Sequence, residues 1–124
     1  MTQILSIAAG GALGALLRFW VSSGLHALLG RAFPYGTLAV NILGSLMMGF
    51  LYVLFLERMT VGPEIRAGLL IGLLGAFTTF STFSIETLNL IEQADYLKAG
   101  LNMLLSVVAC LSAAWIGLSI GRQI

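Results

Sequence analysis

The sequence predicts an all-α membrane protein, a single domain of four transmembrane helices over residues 1–124. Hydrophobic residues make up 59% of the 124 residues and charged residues only 9%. The mean hydropathy of +1.02 lies outside the range of soluble domains. Because each crossing takes about 20 apolar residues, the chain has room for four spans and no soluble domain.

We place the spans at residues 4–29, 37–56, 65–91 and 97–120. The connectors between them contain turn-forming and charged residues: Gly30, Arg31, Pro34 and Gly36 in the first, Glu57, Arg58, Gly62 and Pro63 in the second, Glu92 and Asp95 in the third. All three connectors are short, so neighbouring spans are expected to be antiparallel. The N-terminus has no basic segment of the kind that precedes a signal peptide core, so we expect span 1 to stay in the mature protein.

Span 1 and span 4 contain isolated residues that could suggest chemistry. His26 has neither a metal-ligand cluster nor a nucleophile and base in the sequence near it. Cys110 is the only cysteine, and it lies among apolar residues of span 4, where a packing role is expected. We therefore expect no enzymatic activity, and no nucleic-acid partner.

The middle of span 3 is the most unusual part of the chain. Residues 75–84, Gly-Ala-Phe-Thr-Thr-Phe-Ser-Thr-Phe-Ser, contain five hydroxyls and three phenyl rings. Hydrocarbon offers a hydroxyl no partner, so this segment should face protein or a wet cavity. The β-branched Thr78, Thr79 and Thr82 are poor helix formers, and Gly72 and Gly75 permit a departure from the helix, so a break is predicted here. The alternative is an intact helix whose hydroxyls bond back to the preceding turn.

The residue types of this segment favour an anion. Phenyl rings have a positive edge, so Phe80 and Phe83 turned edge-on can support a dehydrated anion beside the hydroxyls. Asn41, inside span 2, offers two more donors and is a candidate pore contact; its alternative role is a hydrogen bond between helices. Carbonyls freed by the break, contributed by two chains, could hold a small hard cation such as sodium.

Two charged residues lie near this region. Arg18 would be costly at the centre of an isolated span, so we expect it near an aqueous vestibule or paired with an acid, for which Glu86 is one candidate. A structural arginine is an equal alternative. Glu86 itself could be a proton carrier, a sodium neighbour or an exposed acid at the end of the span, and we favour the last two.

The positive charges are nearly balanced between the two ends of the bundle. Arg58, Arg66 and Arg122 lie on one side, and Arg31 and Lys98 on the other, with Arg18 deeper in span 1. Since excess Lys and Arg in short loops sets orientation, either orientation in the membrane is open, unless one residue such as Arg66 dominates.

Small residues recur at four-residue spacing on every span: Gly10 and Gly14, Ser45 and Gly49, Gly68 and Gly72, Gly117 and Gly121. Such faces drive helix association in lipid. We expect that four helices do not use all of them internally, and therefore that the chain forms a homo-oligomer with a second, inverted copy.

Three sequence blocks resemble the small bacterial fluoride channels called Fluc or CrcB. They are residues 10–20, residues 36–44, and residues 75–84 followed by Glu86. The resemblance covers nearly the whole chain, and its third block is the most specific.

The resemblance implies a passive fluoride channel that exports cytoplasmic fluoride across the bacterial inner membrane. It implies an antiparallel, dual-topology homodimer in the lipid bilayer, with two pores and a central structural sodium ion held by the carbonyls of Gly75 and Thr78. It assigns the fluoride route to Asn41, Phe80 and Phe83, with Ser81 and Thr82 nearby and Arg18 toward the vestibule. We add Thr79, a hydroxyl residue of the same segment, to the candidate pathway.

Span 4 departs from the family pattern. Where relatives have Gly-Ser followed four residues later by Thr, this chain has Ala109-Cys110 and Ala114. Either Ser106 and Ser112 supply part of that polar track or the pathway depends more on span 3. Two other functions stay open from the sequence: a small proton-coupled multidrug exporter, although span 1 has no deep carboxylate, and a noncatalytic subunit of a larger membrane complex.

Overall fold

The computed structural model describes all residues 1–124, and every regular element in it is helical. We label the helices α1 (Thr2–Leu29), α2 (Tyr35–Arg58), α3 (residues 63–77), α4 (Ser81–Glu92) and α5 (Tyr96–Gln123). The chain has four helical segments long and apolar enough to cross a membrane, namely α1, α2, Pro63–Glu92 and α5. The prediction of an all-α, four-span membrane protein is confirmed.

The helices begin and end where local chemistry favours it. Gly30, with φ of 86°, follows α1 in a conformation that suits glycine. Pro63 opens α3 at a position where its missing N–H costs nothing. Two stretches, Leu54–Arg58 at the end of α2 and Ala67–Leu74 within α3, have wider π-helical turns, a feature that often accompanies functional sites.

The third membrane segment is made of two helices. After α3 ends at Phe77, Thr78 has an extended backbone with φ of −84° and ψ of 158°, and α4 begins at Ser81. Residues 78–80 therefore lie outside the regular helices at mid-segment.

Glycines bring the helices into close contact within one chain. A Cβ on Gly10 or Gly14 of α1 would collide with the Gly68 or Leu73 carbonyl of α3. Between α2 and α5, a Cβ on Gly49 would meet the Ala114 carbonyl in the same way. The expectation that four helices would not use all of these faces internally is wrong for these glycines, because backbone of the same chain already fills the space. The homo-oligomer stays a prediction.

The bundle packs in two main pairs, α1 with α3 and α2 with α5. Val40, Val53 and Asn102 are the largest fully buried side chains, and two of them belong to α2. At one end Arg58 donates to the Arg122 carbonyl at 2.7 Å, which joins the second connector to the C-terminus. At the other end the first and third connectors lie together around a polar cavity.

Candidate functional site

Asn41 of α2 is bound to the backbone of the segment between α3 and α4. Its Nδ2 donates to the Thr79 carbonyl at 3.0 Å, and its Oδ1 accepts from the Thr79 amide at 2.8 Å. The side-chain amide thus matches both polar groups of one residue, as a neighbouring strand would. The irregular backbone of residues 78–80 is fixed by this pair of hydrogen bonds.

The same geometry leaves several carbonyls without amide donors. In a continuous helix the Thr79 amide would bond to the Gly75 carbonyl, but it donates to Asn41. The Thr82 amide, which would bond to the Thr78 carbonyl, donates to the Thr79 hydroxyl at 3.2 Å. No backbone amide donates to the carbonyls of Gly75 through Thr78, so these oxygens are available as ligands.

The five hydroxyls of residues 75–84 behave in two ways. Thr78 and Ser84 donate to the carbonyl four residues earlier, at 3.1 and 2.9 Å, which is the alternative that the sequence left open. Thr79, Ser81 and Thr82 instead form a cluster, with Thr79 Oγ1 3.2 Å from Thr82 Oγ1 and 3.4 Å from Ser81 Oγ. Three of the five hydroxyls, those of Thr79, Ser81 and Thr82, therefore interact with one another and not with the preceding helical turn.

A cavity of about 360 Å³ lies between this segment, α2 and α5. Its wall includes Asn41, Thr79 and the rings of Phe80 and Phe83, whose centroids are 5.4 Å apart at an interplanar angle of 44°. Phe80 is 77% exposed in the single chain. On the α5 side the lining is Ser106, Val107, Cys110 and Ala114.

A second cavity of about 240 Å³ shares Thr79 with the first. Its lining combines Arg18 and four hydroxyl residues with two apolar ones, namely Ser22, Thr37, Thr79, Thr82, Phe19 and Val40. Arg18 Nε is buried without a hydrogen-bond partner, and no ion pair joins Arg18 to Glu86. A cation and several hydroxyls around one small space form an environment suited to an anion.

Glu86 lies in a third, polar cavity of about 390 Å³ at the end of the bundle that holds the first and third connectors. His26, Arg31, Asp95 and Lys98 also line it, and Lys98 pairs with Asp95 at 3.5 Å. One carboxylate oxygen of Glu86 is buried and has no partner. Glu86 is thus near the end of its span, in contact with an open polar cavity.

The structure separates the two serines predicted on α5. Ser106 is 9% exposed, lines the first cavity, and its hydroxyl has no partner. Ser112 is exposed and lines none of the three cavities. They are six positions apart in the sequence, which places them on different faces of a helix.

Sequence reasoning missed Ser45 and Asn102, and it left open whether Cys110 contributes to the polar track of span 4. Ser45 and Cys110 line the first cavity, and Asn102 is a buried residue of the same α5 face. The available signal was the spacing of four residues along α5, which runs through residues 102, 106, 110 and 114.

The chain is similar to one protein family and to several proteins of one name. The family model described as CrcB-like protein, Camphor Resistance (CrcB), matches residues 5–118. A protein of Methylococcus capsulatus named fluoride-specific ion channel FluC is 56% identical over 122 residues, which are 98% of this chain and 54% of that protein. Proteins of the same name from Magnetococcus marinus and Geobacter sulfurreducens are 53% and 48% identical. These alignments cover 98% and 100% of this chain and 99% and 100% of those relatives.

Proposed function

Because this chain belongs to the CrcB-like protein family, we propose that it is a passive, fluoride-selective channel that lets fluoride leave the bacterial cytoplasm across the inner membrane. The family is one of ion channels and not of enzymes. The chain itself is a multi-pass membrane protein. The name shared by the relatives suggests fluoride as the ion that this chain conducts.

The observation that carries the proposal is that Thr79 lines two cavities, each of which offers groups that can stabilise an anion. The Arg18 cavity supplies a positive charge and hydroxyls, and the first cavity supplies the phenyl rings of Phe80 and Phe83 and the free Ser106 hydroxyl. Fluoride is strongly hydrated, so a pore must replace its water with donors that do not hold it too tightly. Several weak sites in series, from Arg18 past Thr79 to Ser106, would meet that requirement.

We further propose that two inverted copies form the channel, with one route in each. Gly75 and Ser81 are exposed in the single chain, as is most of the Phe80 ring. Exposed polar backbone is not tolerated against hydrocarbon, so the free carbonyls next to Gly75 need protein or water against them. A second copy laid against this segment would cover them and close the outer side of the cavity.

The free carbonyls of Gly75 and Thr78 are suited to a sodium ion at the centre of such a dimer. Carbonyl oxygens are the ligands that hard cations prefer, and in each chain these two lack amide donors. When bound, sodium would supply positive charge that balances the converging carbonyl dipoles. The role of this chain is to present the oxygens, which Asn41 ensures by taking the Thr79 amide out of the helix.

Fluoride efflux from liposomes tests the proposed activity. The full-length chain is reconstituted in vesicles loaded with potassium fluoride or potassium chloride, valinomycin is added, and halide release is followed with an ion-selective electrode. We expect fast fluoride release and little chloride release. Phe80→Ile and Phe83→Ile should abolish fluoride release, whereas Phe50→Ile, at a ring that lines none of the three cavities, should not. Equal fluxes of fluoride and chloride would rule the proposal out.

Sodium dependence is tested on the detergent-solubilised protein. A cation that binds only the folded dimer raises its unfolding temperature. The midpoint should therefore be higher in sodium chloride than in choline chloride at equal ionic strength. An identical midpoint in the two salts would count against the sodium site.

A further inference from the structure

Two buried side chains join α4 to α5 just beyond the phenyl rings. Asn102 Nδ2 of α5 donates to Thr87 Oγ1 of α4 at 2.9 Å, and Thr87 Oγ1 donates to the Phe83 carbonyl at 2.7 Å. Asn102 is 2% exposed and Thr87 is 6% exposed. The connection therefore runs from the interior of α5 to the backbone of a residue whose ring lines the first cavity.

The register of α4 against α5 determines which residues this connection brings together. α4 and α5 are antiparallel, being joined by a short turn at residues 93–95. One turn back along α4 from Thr87 is Phe83, and one turn on along α5 from Asn102 is Ser106. The Thr87 and Asn102 pair thus sets Phe83 opposite the free Ser106 hydroxyl, and both of these residues line the same cavity.

α4 is a short helix of 12 residues, held near its start by the Asn41 and Thr79 hydrogen bonds. One attachment leaves a helix free to turn about that point, whereas two attachments to different neighbours fix its rotation. Asn102 supplies the second attachment, from α5 rather than α2.

We propose that Asn102 and Thr87 are positioning residues that hold the Phe83 ring at a fixed distance from Ser106 and so set the preference of the route for fluoride over larger halides. This inference rests on the proposed function. A buried neutral hydrogen bond contributes on the order of 1 kcal/mol, which corresponds to about a fivefold effect. Such a bond is strong enough to change selectivity without being required for folding.

The test measures the ratio of fluoride to chloride flux in liposomes made with the full-length chain. Thr87→Val keeps the shape of the side chain and removes both hydrogen bonds, and we expect it to lower the ratio about fivefold. Asn102→Leu should do the same, and the double variant should be no worse than either single one. Thr87→Ser, which keeps the hydroxyl, should restore the wild-type ratio.

Ser119→Ala is the matched control. Ser119 also donates to the carbonyl four residues earlier, at 2.9 Å, but it lines none of the three cavities. Its flux ratio should equal that of wild type. Should Thr87→Val fail to reconstitute, Asn102→Leu and Thr87→Ala test the same contact.

The possible results separate this inference from the proposed function. A wild-type chain that releases no fluoride would overturn the proposed function. A fluoride-conducting wild type whose Thr87→Val and Asn102→Leu variants keep the same flux ratio would overturn only the positioning role. A lower unfolding temperature with an unchanged ratio would also overturn it, because the pair would then act on stability alone.

Discussion

The side-chain amide of Asn41 is paired with both backbone groups of Thr79, through bonds of 3.0 and 2.8 Å. Asn41 also lines the first cavity, yet its carboxamide oxygen and one amide hydrogen are already used by Thr79. Under the proposed function, Asn41 would therefore act on an anion largely through the backbone that it holds. Asn41 thus links α2 to the segment between α3 and α4 and lines the first cavity at the same time.

Replacing Asn41 by Leu should reduce both stability and fluoride flux. The change leaves the Thr79 N–H and carbonyl unpaired, and each buried unsatisfied group costs about 1–3 kcal/mol. Asn89→Leu is the control, because Asn89 is exposed and its side chain forms no hydrogen bond within the chain. Thermal unfolding in detergent and liposome flux measure the two effects. An Asn41→Leu protein as stable as the control would contradict the role assigned to this pair.

Ser106→Ala should lower fluoride flux and leave stability unchanged. The Ser106 hydroxyl has no partner in the chain, so its removal breaks no internal hydrogen bond. Ser112→Ala serves as the control, since Ser112 is exposed and lies outside the cavities. Equal flux from the two variants would show that Ser106 contributes nothing to the route.

Cys110 should make the channel sensitive to small thiol reagents. It lines the first cavity, so a methanethiosulfonate adduct would fill space on the proposed route. We expect a small reagent to reduce fluoride flux in wild type and to have no effect on Cys110→Ser. Adding Ser112→Cys to the Cys110→Ser chain should not restore sensitivity, because Ser112 is on another face. Block that persists in Cys110→Ser would show that the reagent acts elsewhere.

Gly14→Ala should destabilise the bundle, whereas Gly24→Ala should not. A methyl group on Gly14 meets the Leu73 carbonyl, and a methyl group on Gly24 in the same helix meets nothing within 4 Å. Overpacking typically costs about 1–3 kcal/mol, while an exposed Gly→Ala change in a helix gains up to about 1 kcal/mol. Opposite shifts in unfolding temperature are therefore expected. Shifts of the same sign would contradict the close packing of α1 on α3.

The number of spans could be predicted from the sequence, because the apolar composition and the length of 124 residues leave few other arrangements. Gly75 and Thr78 were named as carbonyl ligands of sodium from resemblance. The physical reason that their oxygens are free is that the Thr79 and Thr82 amides donate to side chains, and this is visible only in three dimensions. Ser112 was named because it is polar. It is exposed and does not line the first cavity, and its spacing from Ser106 could have shown that the two lie on different helix faces. The regular spacing of small residues predicted close helix contacts. It could not predict whether the contact is within one chain or between two, because residues such as Gly14 and Leu73 that meet are far apart in the sequence.

Gly75 is expected to lie at the contact with the proposed second copy. A Cβ on Gly75 would have only the Leu70 carbonyl near it, at 3.8 Å, so a larger side chain fits the single chain. If the free carbonyls meet their counterparts in a partner, that side chain would lie in the contact. Gly75→Leu should therefore shift the protein from dimer to monomer, as measured by light scattering in detergent. Gly100→Leu, at an exposed glycine with nothing within 4 Å, should leave the dimer intact. A dimer that survives Gly75→Leu would place any interface elsewhere, and with it the shared sodium site.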